Sequence, residues 1–194
     1  MSEVEVSKKI ALQKYSAIES RDIRDTIADV QARGYADSIA NGNSFDSTNA
    51  FMERFEEYCL NPGFSMVLCT IDDEAVGQAF GWPLAAGTPW WTSLALAPGQ
   101  PPFDEFTVED GTRTFALSEL MVDRQCHGQG LGGILFRALL AGRSEPRVTW
   151  RVDPANTNAY AIYRHWGAQR VGNLRPGQNG APQFDVLVLE NRWQ

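Results

Sequence analysis

Glu119-Leu-Met-Val-Asp-Arg-Gln-Cys-His-Gly-Gln-Gly-Leu-Gly-Gly133 runs from an apolar strand, through a cluster of glycines, into a helix. The apolar residues of 114–122 predict the strand. Beyond the glycines, Leu131, Ile134, Leu135, Ala138 and Leu139 recur at helical spacing, so residues 130–141 form a helix with one apolar face. Glycines at such a junction let the backbone turn tightly and approach a ligand. The helix that follows offers unpaired N–H groups and the positive end of its dipole. A diphosphate is the natural guest of that arrangement.

Two phosphate-binding devices compete for the segment. Gly128, Gly130 and Gly133 satisfy the G-x-G-x-x-G dinucleotide fingerprint, and Asp153 lies about 20 residues on, where an acid would bind ribose. A dinucleotide loop, however, puts its first glycine directly after the strand. Here the residues from Asp123 to His127 intervene between Val122 and Gly128.

A second stretch separates the two. Asn156-Thr-Asn-Ala-Tyr-Ala-Ile-Tyr-Arg-His-Trp-Gly167 predicts a helix over residues 158–166, and Asn156 and Tyr163 stand two turns apart, roughly 10 Å along its axis. The two can touch different points of one extended ligand. Gln125-Cys126-His127-Gly128-Gln129-Gly130 matches the Q/R-x-x-G-x-G/A motif of the GNAT acetyltransferases. Asn156, Ala159, Tyr163 and Gly167 match the spacing of that family's second cofactor helix. The chain therefore resembles the GNAT superfamily over residues 114–188. It departs at Ala168, a packing position where the family usually has Phe.

The resemblance implies an α/β fold: a mixed, mostly antiparallel central sheet flanked by helices, with a parallel, splayed strand pair at the cofactor site. It implies acetyl-CoA (coenzyme A) as cofactor. The strand residues Leu120, Met121 and Val122 would pair with its amides. Gln125, Cys126, His127, Gly128, Gln129, Gly130, Leu131, Gly132 and Gly133 would hold its diphosphate, and Asn156 and Tyr163 would reach it from the second helix. One of Arg124, Arg137, Arg143 or Arg164 would meet the 3′-phosphate. The implied reaction is acetyl transfer to an amine by direct attack, with Tyr163 at the family's usual acid position.

The base is read from the strand itself. Alternation puts Phe115, Leu117, Glu119 and Met121 on one face and Ala116, Ser118, Leu120 and Val122 on the other, both mostly apolar, as in a covered strand. Glu119 is then a carboxylate among hydrophobes. Burial raises its pKa and suits a general base, directly or through a water; the competing role is a structural hydrogen bond to a neighbouring loop.

Outside these motifs the residues bound the answer more loosely. The 194 residues suit a single domain, and a hydrophobic share of 43% supplies a core. The net charge of -7 argues against nucleic acid as a partner. No apolar run is long enough to span a bilayer, and Met1 to Lys9 carries no signal-peptide stretch, so no membrane association and a cytoplasmic location are expected. Cys59, Cys69 and Cys126 are odd in number and widely spaced, which favours free thiols, and no metal site is expected.

Upstream, residues 11–18 predict a strand, and Ser20 caps a helix running to Gly34. A second helix starts at Ser47 and stops at Asn61-Pro-Gly. Residues 64–71 and 75–82 predict a hairpin turning at Asp72-Asp-Glu74. Residues 147–152 and 184–189 predict further strands. Residues 83–113 read as one long loop, the expected substrate wall. It would offer aromatic surface from Trp82, Trp90 and Trp91, and charge from Asp104, Glu105, Glu109 and Asp110 for an ammonium group. The expected acceptor is a small-molecule primary amine. Acetylation of a protein or peptide, and a non-catalytic acyl-CoA-binding module, are the alternatives. Pairing with a second copy of the chain stays open.

Overall fold

A computed structural model describes residues 8–177 and 181–190. The strands are β1 (Ile10–Ser16), β2 (Ser65–Ile71), β3 (Glu74–Pro83), β4 (Ala95–Leu96), β5 (Thr114–Val122), β6 (Arg147–Val152), β7 (Gln169–Leu174) and β8 (Phe184–Glu190). The helices are α1 (Ala17–Asp22), α2 (Arg24–Gly34), α3 (Ala36–Ala40), α4 (Thr48–Tyr58), α5 (Phe103–Phe106), α6 (Leu131–Leu140) and α7 (Thr157–His165). All eight strands form one sheet in the order β1-β2-β3-β5-β6-β8-β7-β4. Every neighbouring pair is antiparallel except β5 and β6. This is the mixed, mostly antiparallel sheet with one parallel pair that the motifs implied. Among the described residues no helix is long and apolar enough to cross a membrane.

The sheet carries a core on each face. On one, Ile27 and Val30 of α2 and Phe51 and Phe55 of α4 pack on Phe80, Phe64 and Trp82. Phe80 sits at ring-centroid distances of 5.6 Å from both Phe55 and Phe64, close enough for favourable ring contacts. On the other face, Leu131, Leu135, Phe136 and Leu139 of α6 cover Val148, Trp150 and Leu187. Of the predicted stripe of α6, Leu131, Leu135 and Leu139 are buried and Ile134 and Ala138 partly so, while Phe136 and Leu140 join the buried face.

The structure differs from the sequence reading in four places. The single helix expected up to Gly34 is two, α1 from Ala17 and α2 from Arg24, and Ser16, not Ser20, caps the first. Ser16 Oγ accepts from Glu19 N–H while the Glu19 carboxylate accepts from Ser16 N–H, a complete capping box. Ser20 instead lies buried within the helix, donating to Ala17 O. Residues 83–113 are not one structureless loop. They hold a 3-10 turn at Pro89–Trp91, β4 and α5. The strand β7 is not legible in the sequence: Gln169-Arg-Val-Gly-Asn-Leu174 lacks a clear alternation and is held by pairing to β8 and β4.

The fourth correction concerns β5. Phe80 pairs with Glu119, but Gly81 pairs with Leu117, so Ser118 is an extra residue on β5. A bulge of this kind reverses the alternation beyond it. Phe115 and Leu117 face α6, and past the bulge Leu120 and Val122 do so too. Ala116 and Met121 pack in the opposite core, on the α2 and α4 side. Glu119 therefore does not share a face with Phe115 and Leu117. Gly81 makes the bulge feasible, because a Cβ there would lie 2.0 Å from Ala116 O.

Candidate active site

The parallel pair is short. Thr114, Phe115 and Ala116 pair with Arg147, Val148 and Thr149, and the ladder ends there. Beyond it β5 runs on to Val122 and β6 to Val152. One edge of residues 117–122 is consequently left without a strand partner among the described residues, while the other edge stays paired to β3. A cavity of about 1460 Å³ opens at this splay. It reaches from the glycine loop and α7 on one side to α2, α4 and the 3-10 turn at Pro89–Trp91 on the other.

The wall at the glycine loop is mostly backbone. Gly128 and Gly130 adopt φ of 78° and 76°, a left-handed conformation that side chains disfavour. Gly130 is the N-cap of α6, and no side chain caps that helix. The first-turn N–H groups of α6 are thus available to a ligand. An added Cβ at Gly128, Gly130 or Gly132 would meet nothing within 4 Å, so the cradle is open. These features suit a diphosphate-bearing ligand, and the unpaired edge of β5 suits one with amides along its length. Asp123 anchors the loop. Its carboxylate accepts from Gln125 N–H at 2.9 Å and from the Arg33 guanidinium, which also donates to Ala75 O. His127 Nε2 lies 3.0 Å from Val122 O.

Of the residues expected to hold the cofactor, Leu120, Met121, Val122, Cys126, His127, Gly128, Gly130, Leu131, Gly132, Gly133, Asn156 and Tyr163 line the cavity. Gln125 and Gln129 do not; Gln125 enters the loop through its backbone N–H. The Asn156 side chain caps α7, accepting from Ala159 N–H at 3.1 Å. Among the four candidate arginines only Arg137 lines the cavity. Arg124 pairs with Asp37, and Arg143 pairs with Glu145 at 2.6 Å beneath the sheet's other end.

The opposite wall is built from side chains. Trp82 and Trp90 line it, with their rings 6.0 Å apart. Trp91 does not. Its ring packs on Phe106 and its indole N–H donates to Glu109, which draws it into the interior of its own loop. Glu109 also accepts from Thr114 Oγ1 and Arg147, so that carboxylate is already engaged. Asp104, Glu105 and Asp110 likewise lie outside the cavity lining, Asp110 accepting from Thr112 N–H in a local turn. The loop acids thus form no rim: Glu109 and Asp110 are engaged locally, Asp104 and Glu105 are exposed away from the cavity, and the carboxylates that line it beside Glu119 are Asp37, Asp46, Glu57 and Asp153. The sequence reading missed Tyr35, Arg54, Tyr58 and Arg151, all of which line the cavity.

Glu119 enters from the bulge, and the Tyr35 hydroxyl donates to its Oε2 at 3.4 Å. Loss of hydration raises its pKa to about 7; Arg54 and the Tyr35 hydrogen bond oppose the rise, and Asp46 adds to it. Tyr163 projects from α7 with its ring 5.1 Å from Trp150. Burial first, and the charge of Glu119 second, push its phenol well above the usual range. Tyr35 is raised chiefly by Glu119, and Tyr58 chiefly by burial. Glu119 thus acts electrostatically on tyrosines from α7 and from the α2–α4 side.

Comparison with known proteins agrees with this geometry. The Acetyltransferase (GNAT) family profile matches residues 35–168. A GCN5-like protein acetyltransferase of Mycobacterium tuberculosis is 33% identical over 96 residues, covering 47% of this chain and 47% of that protein. The matched stretch thus spans about half the length of that relative. An acetyltransferase from Thermus thermophilus superposes with a TM-score of 0.61 at 15% identity, over 93% of this chain and 96% of its own. An aminoglycoside N-acetyltransferase solved with CoA gives a TM-score of 0.56 at 12% identity, over 91% and 98%. At such identities the structures speak for the fold.

Proposed function

The chain belongs to the GNAT acetyltransferase family, whose acetyl donor is acetyl-CoA, and from that premise we propose that Glu119 is the base and Tyr163 the acid in direct acetyl transfer to a primary amine of a small molecule. The donor supplies an activated thioester carbonyl. The observation that carries the reading is the convergence of a carboxylate poised near neutrality and a buried phenol on the open splay of β5 and β6.

An amine is nucleophilic only once its ammonium proton is gone. A carboxylate with a pKa of about 7 is half ionised near neutral pH and basic enough to accept that proton, directly or through a water. Tyr35 orients Glu119 through its hydroxyl, and Arg54 tempers the cost of the charge. Tyr163 keeps its proton at any working pH. While Glu119 is charged, that elevation makes proton transfer to a thiolate, ordinarily near pKa 8.5, uphill, and Tyr163 Oη serves as a hydrogen-bond donor to the thioester sulfur. Once Glu119 has taken the ammonium proton its charge no longer holds the phenol's proton, which eases transfer to the sulfur as the carbon–sulfur bond breaks. The first-turn N–H groups of α6 and the free edge of β5 hold the donor, and Trp82 and Trp90 offer the acceptor an apolar surface.

The test is thiol release against pH with a panel of amines. Activity of the wild type should rise with pH through about 7 as Glu119 ionises. Glu119→Gln should lose roughly 100-fold in kcat and the pH step with it. An unshifted profile in the variant would remove Glu119 as the base. The mycobacterial relative's printed name favours a second reading, acetylation of a protein amine. Peptides added to the panel discriminate between the two.

A further inference from the structure

Buried polar atoms without partners divide unevenly in this molecule. Among the described residues, the donors left unpaired are Nε of Arg54, Nε of Arg151, and the indole nitrogens of Trp90 and Trp150. All four belong to residues lining the cavity. The two unpaired acceptors, on Gln78 and Glu109, belong to residues outside it. Buried polar groups without partners are uncommon and costly. These four atoms are themselves shielded within the wall, so what the cavity offers a ligand is decided by the charged groups that reach it.

The charges narrow this further. Arg54 directs its guanidinium to Phe45: it donates to the carbonyl at 2.8 Å and lies 4.0 Å over the ring. Its field falls on Glu119. Arg151 is different. It lies 4.2 Å over the Trp90 ring and donates one Nη to Trp90 O. Among the described residues no carboxylate pairs with it. Loss of hydration lowers its pKa to about 10, and the phenol of Tyr58 is the group whose charge opposes this. An incompletely paired guanidinium in such a place wants an anion.

Its position says which one. Trp150 faces α6 and α7, packing on Phe136 and Tyr163, so the next residue of β6, Arg151, faces the other way. There it joins Tyr58, Trp82 and Trp90 across the splay from the bulge that delivers Glu119. Tyr58 feels the charges of both Glu119 and Arg151. The glycine cradle lies on the opposite face, with α6. Arg151 thus belongs to the acceptor's half of the cavity.

We propose that Arg151 binds a carboxylate of the acetyl acceptor, and that the acceptor is an amino acid or similar amine-bearing acid whose amine is presented to Glu119. This rests on the transferase reading above. A guanidinium suits the role because its fixed fork can meet both oxygens of a carboxylate. The aromatic surface of Tyr58, Trp82 and Trp90 would cover the acceptor's side chain.

Matched triples test it: an amino acid, its carboxamide and its decarboxylated amine, for example phenylalanine, phenylalaninamide and phenethylamine, each assayed for thiol release with acetyl-CoA. For at least one triple in a set spanning aromatic, aliphatic and polar side chains, the wild type should favour the acid by at least ~30-fold in kcat/KM, mostly through KM. Arg151→Gln should collapse that ratio to within a few-fold. Equal use of the three members by the wild type in every triple would overturn the proposal without relying on a variant that folds. So would an Arg151→Gln enzyme that is slower on all members alike, which is the mark of a structural role. A further arm replaces acetyl-CoA by succinyl-CoA. Preference for that donor, with no preference among the acceptors, would put the carboxylate on the acyl group and overturn it too. Thiol release with no amine at all would instead remove the transferase reading beneath it.

Discussion

The two walls of the cavity are built on opposite plans. The wall proposed for the donor is backbone: a glycine loop, an uncapped helix start and a free strand edge, drawn from residues 117–133 together with α7. The wall proposed for the acceptor is side chains, drawn from α2, α4, β6 and the 3-10 turn at Pro89–Trp91, which are distant in the chain. Backbone groups recognise what every donor of this kind shares, so that wall can be written as a short local motif. Side chains recognise what distinguishes one acceptor from another, and they can be supplied from anywhere that packing brings together. Glu119 stands at the seam, on the donor strand but turned by the Ser118 bulge toward the acceptor wall.

Variants can break this division or sharpen it. The largest effect is expected at the seam. Glu119 has a folded pKa of about 7 against about 4.3 in an unfolded chain, so the folded state is increasingly disfavoured by ionisation as pH rises between those values. Glu119→Gln should therefore be more stable than the wild type at pH 8, on the order of 2 kcal/mol, with the gap closing by pH 4. Denaturant titrations at the two pH values check it, and a variant less stable at pH 8 would make Glu119 a structural partner. Next is Tyr163→Phe, which should lower kcat about tenfold or more with little change in donor affinity. Unchanged turnover would remove Tyr163 from the mechanism.

On the donor wall alone, Gly130→Ala meets no steric neighbour but must hold a φ of 76°. It should cost roughly 1 kcal/mol, read as weaker binding of CoA in calorimetry or as lower stability, while the ranking of acceptors stays the same. A changed acceptor ranking would mean that the walls are not separable. The smallest effect is expected far from both. Ser16→Ala removes the capping box of α1 and should cost about 0.5–1 kcal/mol by thermal unfolding, with unaltered kinetics.

Legibility in the sequence follows the same division. The strand 114–122, the glycine loop, α6 and α7 are all readable from local spacing, because each is a contiguous segment with its own period or cap. The cap at Ser16 escapes that reading although Ser16-x-x-Glu19 is a local signature. β7 escapes it because Gln169–Leu174 has no strong alternation and exists by pairing on both sides. Arg151 shares β6 with Arg147, so no lone-charge signal like that of Glu119 singles it out. Asp104, Glu105, Glu109 and Asp110 look suited to an ammonium group, but local composition cannot tell a carboxylate that rims a cavity from one engaged inside its loop, as Glu109 is, or exposed away from it, as Asp104 and Glu105 are.

By itself the sequence determined the class of the fold, the family and the donor: these rest on glycine conformations, helix starts and a few spacings, all set by neighbours in the chain. Only the tertiary structure decided which way Glu119 points, that Trp91 turns inward, and that Arg151 lies without a carboxylate over Trp90. Each depends on one residue of register or on a partner distant in the chain. A single extra residue in β5 exchanges the faces of all that follow, and no local pattern records where that residue will be accommodated.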